Sequence, residues 1–296
     1  MKTLLLFLSF LFLGKISSCQ IKSIIIDSVT RENIPYVNIW VENENIGTTS
    51  NEEGEFELNV TATNKIILFS AIGYESTKMK AGSIGKEVML VPQIPVLKEV
   101  LIYSKKGTRE LIIERFKKSE SNHSFVGGVT PWILAKYFGY QDDYESTPYL
   151  KKINILTNSE IKNATFNIRL YSVGEDGNPG EYLYEKNIIG IAKKGKTITE
   201  VDLSTLNIRF PQNGFFIAYE WLIIESNRHE YSYTVHGSKE EFKGIRYEPA
   251  IASLKGNEDK NSWMFTKGNW KKWNGLSLKE IVNRYRYLAI ELILTN

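Results

Sequence analysis

The sequence predicts an all-β protein of two β-sandwiches, a small one followed by a larger one, joined by a short helical connector. Three observations carry this. Apolar and polar residues alternate with period two over much of 20–103 and 127–296, without a helical stripe in either stretch. Clusters of Gly, Asn, Asp and Pro interrupt the alternation at short spacing, as turns between antiparallel strands do. Aromatic residues make up 12% of the chain, and flat side chains pack well on pleated surfaces. With 296 residues, 42% apolar and 24% charged, the chain can bury two cores and has the composition of a globular protein.

The N-terminus stands apart from this pattern. Lys2 precedes Leu4–Leu13, an apolar run broken only by Ser9, and small residues Ser17 and Ser18 lead to Cys19. That run is too short to cross a bilayer as a helix and suits the core of a secretory signal. Residues 1–19 are therefore expected to be a signal peptide, and the mature chain an exported protein of the periplasm or outer membrane with no transmembrane span. Ile16-Ser17-Ser18-Cys19 resembles a lipoprotein cleavage motif, which would lipidate Cys19; ordinary cleavage after Cys19 fits equally, and both stay open. Cys19 is the only cysteine, so no internal disulfide can form and core packing must hold the fold. Removing Lys2 and Lys15 with the signal brings the formal net charge from +3 to near neutrality. Such a surface offers no electrostatic footprint for nucleic acid.

In the first sandwich, expected over 20–103, strands are read at Ile24–Ile26, Tyr36–Val41, Glu53–Val60, Lys65–Phe69 and Lys86–Leu90. Glu53–Val60 alternates cleanly and places Phe56, Leu58 and Val60 inward. Gly54 follows Asn51-Glu52-Glu53 and lets a tight turn take positive φ before Phe56 enters the core. Gly73 lets the backbone leave the strand ending at Ser70, so that Tyr74 folds back. The blocks Ile25-Ile26-Asp27-Ser28, Ile34–Ile39, Gly47-Thr48-Thr49-Ser50-Asn51-Glu52-Glu53-Gly54-Glu55-Phe56, Ile67–Glu75 and Val88-Met89-Leu90 together resemble the carboxypeptidase regulatory-like domain. Ser23 departs from that pattern, where Gly is frequent. The resemblance implies a transthyretin-like sandwich of about seven strands, common in envelope proteins, and it implies no catalysis.

Residues 104–126 are expected to be a helical linker, because Arg109–Lys118 holds helix formers with apolar positions at Ile112, Ile113 and Phe116. Residues 127–296 are expected to form the larger sandwich. Ala164, Phe166, Ile168 and Leu170 share one face, 174–180 is a dense turn cluster, and Phe215–Ile224 and Tyr287–Leu294 read as central strands. This half resembles galactose-binding-like jelly rolls in pattern alone, and no transporter barrel is expected after the last strand.

The motifs that could carry chemistry lack their context. Gly190-Ile191-Ala192-Lys193-Lys194-Gly195-Lys196-Thr197 matches the phosphate-loop pattern, but the alternating Thr197–Leu203 reads as a strand where a helix is needed. A hairpin turn, and no nucleotide, is expected there. His123, His229 and His236 lack cysteine or carboxylate partners at ligand spacing, so no metal site and no cofactor is expected. Glu220 and Glu291 each interrupt an apolar strand. They could be a carboxylate pair of a hydrolase, solvent-facing positions, or buried acids answered by Arg or Lys from a neighbouring strand. Asp142-Asp143 and Glu175-Asp176 fit loop calcium or plain turn solvation. Trp263, Phe265, Trp270 and Trp273 crowd around Lys267-Gly268-Asn269, and the tryptophans are the candidate ligand-binding residues, either stacking on sugars or packing a loop. The expected function is a non-catalytic binding or scaffolding module with an envelope protein or glycan as partner. Its first sandwich would be a spacer and its second the recognition unit; a glycan-binding accessory module, or a hydrolase using Glu220 and Glu291, are the alternatives.

Overall fold

A computed structural model describes residues 19–93, 107–235, 237, 240–256, 262–266, 269–273 and 286–296. The expected signal segment 1–18 and His236 lie outside the described residues. The first strands are β1 (Cys19–Asp27), β2 (Asn38–Val41), β3 (Gly47–Thr49), β4 (Glu55–Val60), β5 (Ile66–Ser70), β6 (Thr77–Lys80) and β7 (Glu87–Leu90). They make two sheets, ordered β4-β1-β7 and β3-β2-β5-β6; β1 and β7 run parallel and the other pairs antiparallel. Both sheets turn their apolar faces to one core. Ile21 and Ile25 of β1 and Phe56, Leu58 and Val60 of β4 meet Ile39, Val41, Ile67 and Phe69 from the facing sheet. Each such side chain removed from water contributes roughly 1.5–3 kcal/mol. The period-two burial of β4 is the pattern its sequence requires. Gly54 has φ +74°, and a Cβ there would also press on the Ile25 carbonyl oxygen at 2.8 Å, so the turn before Phe56 admits only glycine.

The larger part comprises β8 (Glu110–Ile113), β9 (His123–Gly127), β10 (Ile133–Phe138), β11 (Tyr149–Ser159), β12 (Ala164–Val173), β13 (Pro179–Tyr182), β14 (Ile188–Ala192), β15 (Gly195–Asp202), β16 (Phe215–Trp221), β17 (Arg228–Thr234), β18 (Glu241–Lys255), β19 (Ser262–Thr266), β20 (Asn269–Trp273), β21 (Arg286–Leu288) and β22 (Ile290–Thr295). One sheet runs β13-β12-β16-β10-β19-β20, with β14 also on β12. The other runs β17-β18-β11-β22-β8, with β15 on β11 and with β9 and β21 on β18. A second core lies between them, drawn from Phe166, Ile168, Leu170, Phe215, Ile217 and Tyr219 on one side and Ile153, Ile155, Ile251, Leu292 and Leu294 on the other. Sheets of seven and eight strands exceed the eight-strand total of the expected jelly roll.

The expected helical linker is corrected over its described residues. Glu110–Ile113 is a strand antiparallel to β22, with Leu111 opposite Leu294 and Ile113 opposite Leu292. Helix propensity loses here because the strand buries Ile113 in the larger core and pairs the edge of β22. Glu114, at φ +54°, ends the strand, and Phe116 packs with Leu156, Ala252 and Leu254. Lys196 then donates to the carbonyls of Ser121 at 2.6 Å and Lys118 at 3.1 Å, tying the following 3-10 turn to the sandwich. The larger sandwich thus begins near Glu110 rather than at residue 127.

Candidate functional site at the sandwich junction

The alternation of β2 sends Ile39 and Val41 into the small core and leaves Asn38 and Trp40 on the opposite face. That face meets the larger sandwich. Glu220 lies in β16, a strand buried along its whole length, and is itself fully buried. Its partners come from two strands, one in each sandwich. Arg169 of β12 forks onto it, Nε to Oε2 at 2.6 Å and Nη2 to Oε1 at 3.0 Å. Asn167, two residues earlier and directly opposite Glu220 in register, donates from Nδ2 to Oε2 at 2.9 Å. Asn38 of the small sandwich donates from Nδ2 to Oε1. Burial opposes the charge on Arg169, and the adjacent Glu220 carboxylate outweighs it, so the guanidinium stays above its ordinary range. Burial likewise pushes the neighbouring Tyr171 phenol well up. A buried ion pair answered by this many donors avoids the unmatched charge that would otherwise make it costly.

Further contacts extend the junction on both sides of this network. Ile223 N donates to Thr49 Oγ1 at 3.1 Å, and Thr130 Oγ1 donates to the Asn45 carbonyl at 2.8 Å. Tyr36 packs on Leu222 and Ile224, and the Trp40 ring meets Phe265 edge-on at 6.2 Å. At Gly47 a Cβ would stand 2.7 Å from the Pro131 ring, so glycine permits the close approach.

Three crevices border this junction. The first is a cleft of about 880 Å³ floored by the outer face of the β4-β1-β7 sheet, where Lys22, Glu55, Glu57 and Lys86 stand, and walled by Glu225, Arg228 and Tyr247. The second is narrow and walled by Trp40, Pro131, Trp132, Ile133 and Phe265, with Asn38 among its lining. The third, of about 380 Å³, lies between Ile34-Pro35, Ala71–Tyr74 and Glu185–Asn187. Beside it the Tyr74 hydroxyl donates to Asp27 Oδ2 at 3.0 Å, while the amides of Val29 and Thr30 also bond Asp27 and hold its carboxyl below the usual range.

The residues singled out from sequence fall in different places. Glu220 is the buried acid answered by an arginine of a neighbouring strand. Glu291 lies in the other sheet of the larger sandwich, where Asn154 Nδ2 donates to it at 2.9 Å. The two carboxylates are therefore not a pair, and neither lines any of the three crevices. Trp263 is 9% exposed, packs edge-on to Phe216 at 5.0 Å and donates from Nε1 to Asn178 Oδ1. Trp270 meets Tyr171 and Phe265, and Trp273 meets Phe125. Trp263 and Trp270 thus share one apolar cluster with Phe216 and Tyr171, and Trp273 turns to Phe125. The phosphate-loop lookalike runs from β14 into β15, which pair with β12 and β11 in different sheets, so the expected hairpin turn is corrected to a turn that carries the chain from one sheet to the other, with a strand after it where a phosphate loop needs a helix. Asp176 is engaged by Asn178, its side chain and its amide; Asp142 and Asp143 begin a 3-10 turn. His229 sits in β17, and the His123 carbonyl accepts from Ser121 and Ser253. Among the described residues no three metal-ligating side chains stand together, and no helix is long and apolar enough to cross a membrane. Asn38, Trp40, Trp132, Asn167 and Arg169 escaped sequence reasoning. The available signal was the outward phase of Asn38 and Trp40 in β2, a place where a free-standing sandwich would show water a less apolar face.

The profile of the CarboxypepD_reg-like domain matches residues 21–101. No curated protein matches the chain significantly. Among solved structures, a clostridial cysteine protease after propeptide cleavage aligns at 12% identity and a TM-score of 0.39, over 85% of this chain and 51% of the other. An infectious bursal disease virus structure aligns at 9% identity and 0.27, over 95% and 60%. The chain thus spans about half the length of the protease and three fifths of the viral chain. Both likenesses are too slight to bear on fold or function. The seven strands, the Asn51–Phe56 turn, the Gly73-Tyr74 corner and the profile match agree: residues 21–101 of this chain are a carboxypeptidase regulatory-like domain.

Proposed function

We propose that this chain is a non-catalytic exported protein of the cell envelope that acts as a binding or scaffolding module, and that its recognition surface runs along the junction of the two sandwiches. The small sandwich is then one wall of the site, where a plain spacer would contribute nothing. The observation that carries this reading is the 880 Å³ cleft, because its floor and its wall come from different sandwiches held together by the Glu220 network. Pockets of this size between packed units are common ligand sites. Lys22, Lys86 and Arg228 alternate with Glu55, Glu57 and Glu225 around it, which suits a polar partner carrying both signs of charge. Photo-cross-linking residues placed at Lys86 and Glu57, and at Lys193 in the β14–β15 turn as a remote control, test it in intact cells. Adducts specific to Lys86 and Glu57 are expected. Adducts at Lys193 alone, or none at the cleft, would contradict it.

A further inference from the structure

The cleft of about 880 Å³ opens on an unpaired sheet edge. β4 ends the β4-β1-β7 sheet and pairs with β1 alone, in an unbroken register from Ile24 opposite Glu55 to Cys19 opposite Val60. Ile25 N donates to the Gly54 carbonyl at 2.9 Å, so antiparallel alternation commits the backbones of Phe56, Leu58 and Val60 to β1 as well. The residues between them turn their N–H and C=O the other way. At Glu55 both groups are met by Asn51: the Glu55 amide donates to Asn51 Oδ1 at 2.8 Å, and the Asn51 amide donates to the Glu55 carbonyl at 2.9 Å. Beyond that turn Glu57 and Asn59 repeat the same phase, and no described residue pairs their backbone groups. Both line the cleft.

This edge presents a donor and an acceptor at Glu57, and again at Asn59 about 7 Å further along. An extended polypeptide repeats its own donors and acceptors at that spacing, which is how peptides add a strand to an open sheet edge. Nothing in β4 deters pairing. Its six residues include no proline and no bulge, and the Glu57 carboxylate is already answered by Lys22 at 2.9 Å and by Gln20. The cleft walls restrict what the strand carries. On the outer face stand Lys22, Glu57 and Lys86, while Thr48 and Thr49 of β3, the edge of the facing sheet, line the inner side with Ile223. Successive side chains of an added strand point to opposite sides, so one set meets charges of both signs and the other meets small and apolar groups. With Glu225, Arg228 and Tyr247 as its far wall, the cleft has the size for a short peptide and is too small for a second sandwich.

We infer that the free edge of β4 is the docking line of this cleft, and that its occupant is an extended segment of a partner protein. The segment adds as a strand at Glu57 and Asn59, with charged residues alternating with small or β-branched ones. The inference names a partner class for the junction-recognition reading and rests on that reading.

Selection from a random octapeptide phage library on the full chain tests it, with the selected peptides synthesised and their Kd measured by fluorescence anisotropy. Enrichment of peptides that bind the native chain is expected. Asn59→Pro deletes an N–H that belongs to no ladder bond, so it should fold and weaken binding about tenfold or more. Lys80→Pro deletes an outward amide on β6, away from the cleft and where φ is already −70°, and should leave binding unchanged. Peptides N-methylated at every second residue decide the question on the native chain, whether or not Asn59→Pro folds. One of the two alternate sets should abolish binding and the other should not, because a strand added to one edge uses only alternate amides. No enriched peptide, equal binding by folded Asn59→Pro, or equal effects of the two N-methyl sets would each overturn the inference. A native dimer that Asn59→Pro dissolves would assign the edge to a second copy and overturn it too. Cleft adducts at Lys86 and Glu57 in cells would survive all these outcomes, which separates the failure of strand addition from the failure of junction recognition.

Discussion

Arg169→Met removes the cation from a buried carboxylate and measures what holds the junction. The native pair is 1% and 0% exposed and makes two bonds, at 2.6 and 3.0 Å. After the substitution Glu220 keeps only the neutral amides of Asn167 and Asn38. Breaking a buried pair by deleting one partner typically costs about 3–5 kcal/mol, because the other charge stays behind without its counterion. The Lys22–Glu57 pair, 65% and 45% exposed, provides the contrast, and exposed pairs are worth about 0–1 kcal/mol. For a chain of this size the larger loss lowers Tm on the order of 10 °C. Urea unfolding and calorimetry of Arg169→Met, Lys22→Met and the double variant Arg169→Met/Glu220→Gln distinguish the cases. The first should lose about 3–5 kcal/mol and the second under about 1 kcal/mol. The double variant should recover at least half of the first loss, since no charge remains buried. A loss below about 1 kcal/mol for Arg169→Met, equal to that of a surface pair, would refute the reasoning.

Other outcomes follow from the same structure. Trp263→Ala should cost about 3–5 kcal/mol in urea unfolding, because its ring packs on Phe216 in a nearly closed site; an unchanged midpoint would return it to the surface. Tyr36 and Tyr74 are pushed up to about 12, each first by burial and then by a carboxylate, Glu52 and Asp27 respectively. Their folded values lie above the unfolded one, so their contribution is whole below pH 10 and is lost as pH rises through about 12. Tyr74→Phe should flatten the alkaline part of the stability profile, and an unaltered profile would count against the Asp27 bond. Cys19→Ser should release the protein from membranes if Cys19 is lipidated and leave its fractionation unchanged if it is not; a cytoplasmic product with an intact Met1 would contradict export altogether.

Local pattern made much of the small sandwich readable. Phe56, Leu58 and Val60 point inward as their alternation requires, and Gly54 takes the positive φ that its turn needs. That a strand follows Lys196 was legible for the same reason, since β-branched residues alternate there, but the turn before it joins two sheets where a hairpin was expected. The segment Arg109–Lys118 was not. Its residues favour a helix by themselves, and only a ladder to β22, near the far end of the chain, makes them a strand. The junction was hidden for a stronger reason. Asn38 and Glu220 stand 182 positions apart, and each alone reads as a polar residue in an apolar strand. An acid in an apolar strand calls for a partner, and an arginine or lysine of a neighbouring strand is one that the sequence offers Glu220. The sequence could not show that a second partner would come from the other sandwich, because that depends on how two finished cores dock. For the tryptophan cluster near Asn269 the sequence left two readings, stacking on sugars or packing a loop. Trp263, Phe265 and Trp270 stay together in one apolar cluster with Phe216 and Tyr171, while Trp273 turns to Phe125.

The account depends on the two sandwiches acting as one body through the Asn38–Glu220 contact. Differential scanning calorimetry of the native chain beside Asn38→Ala/Thr49→Ala measures this directly, because the double substitution removes two polar contacts across the junction while sparing both cores. A single cooperative transition is predicted for the native chain, splitting into two transitions in the variant. Two separate transitions in the native chain, unchanged by the substitutions, would contradict it.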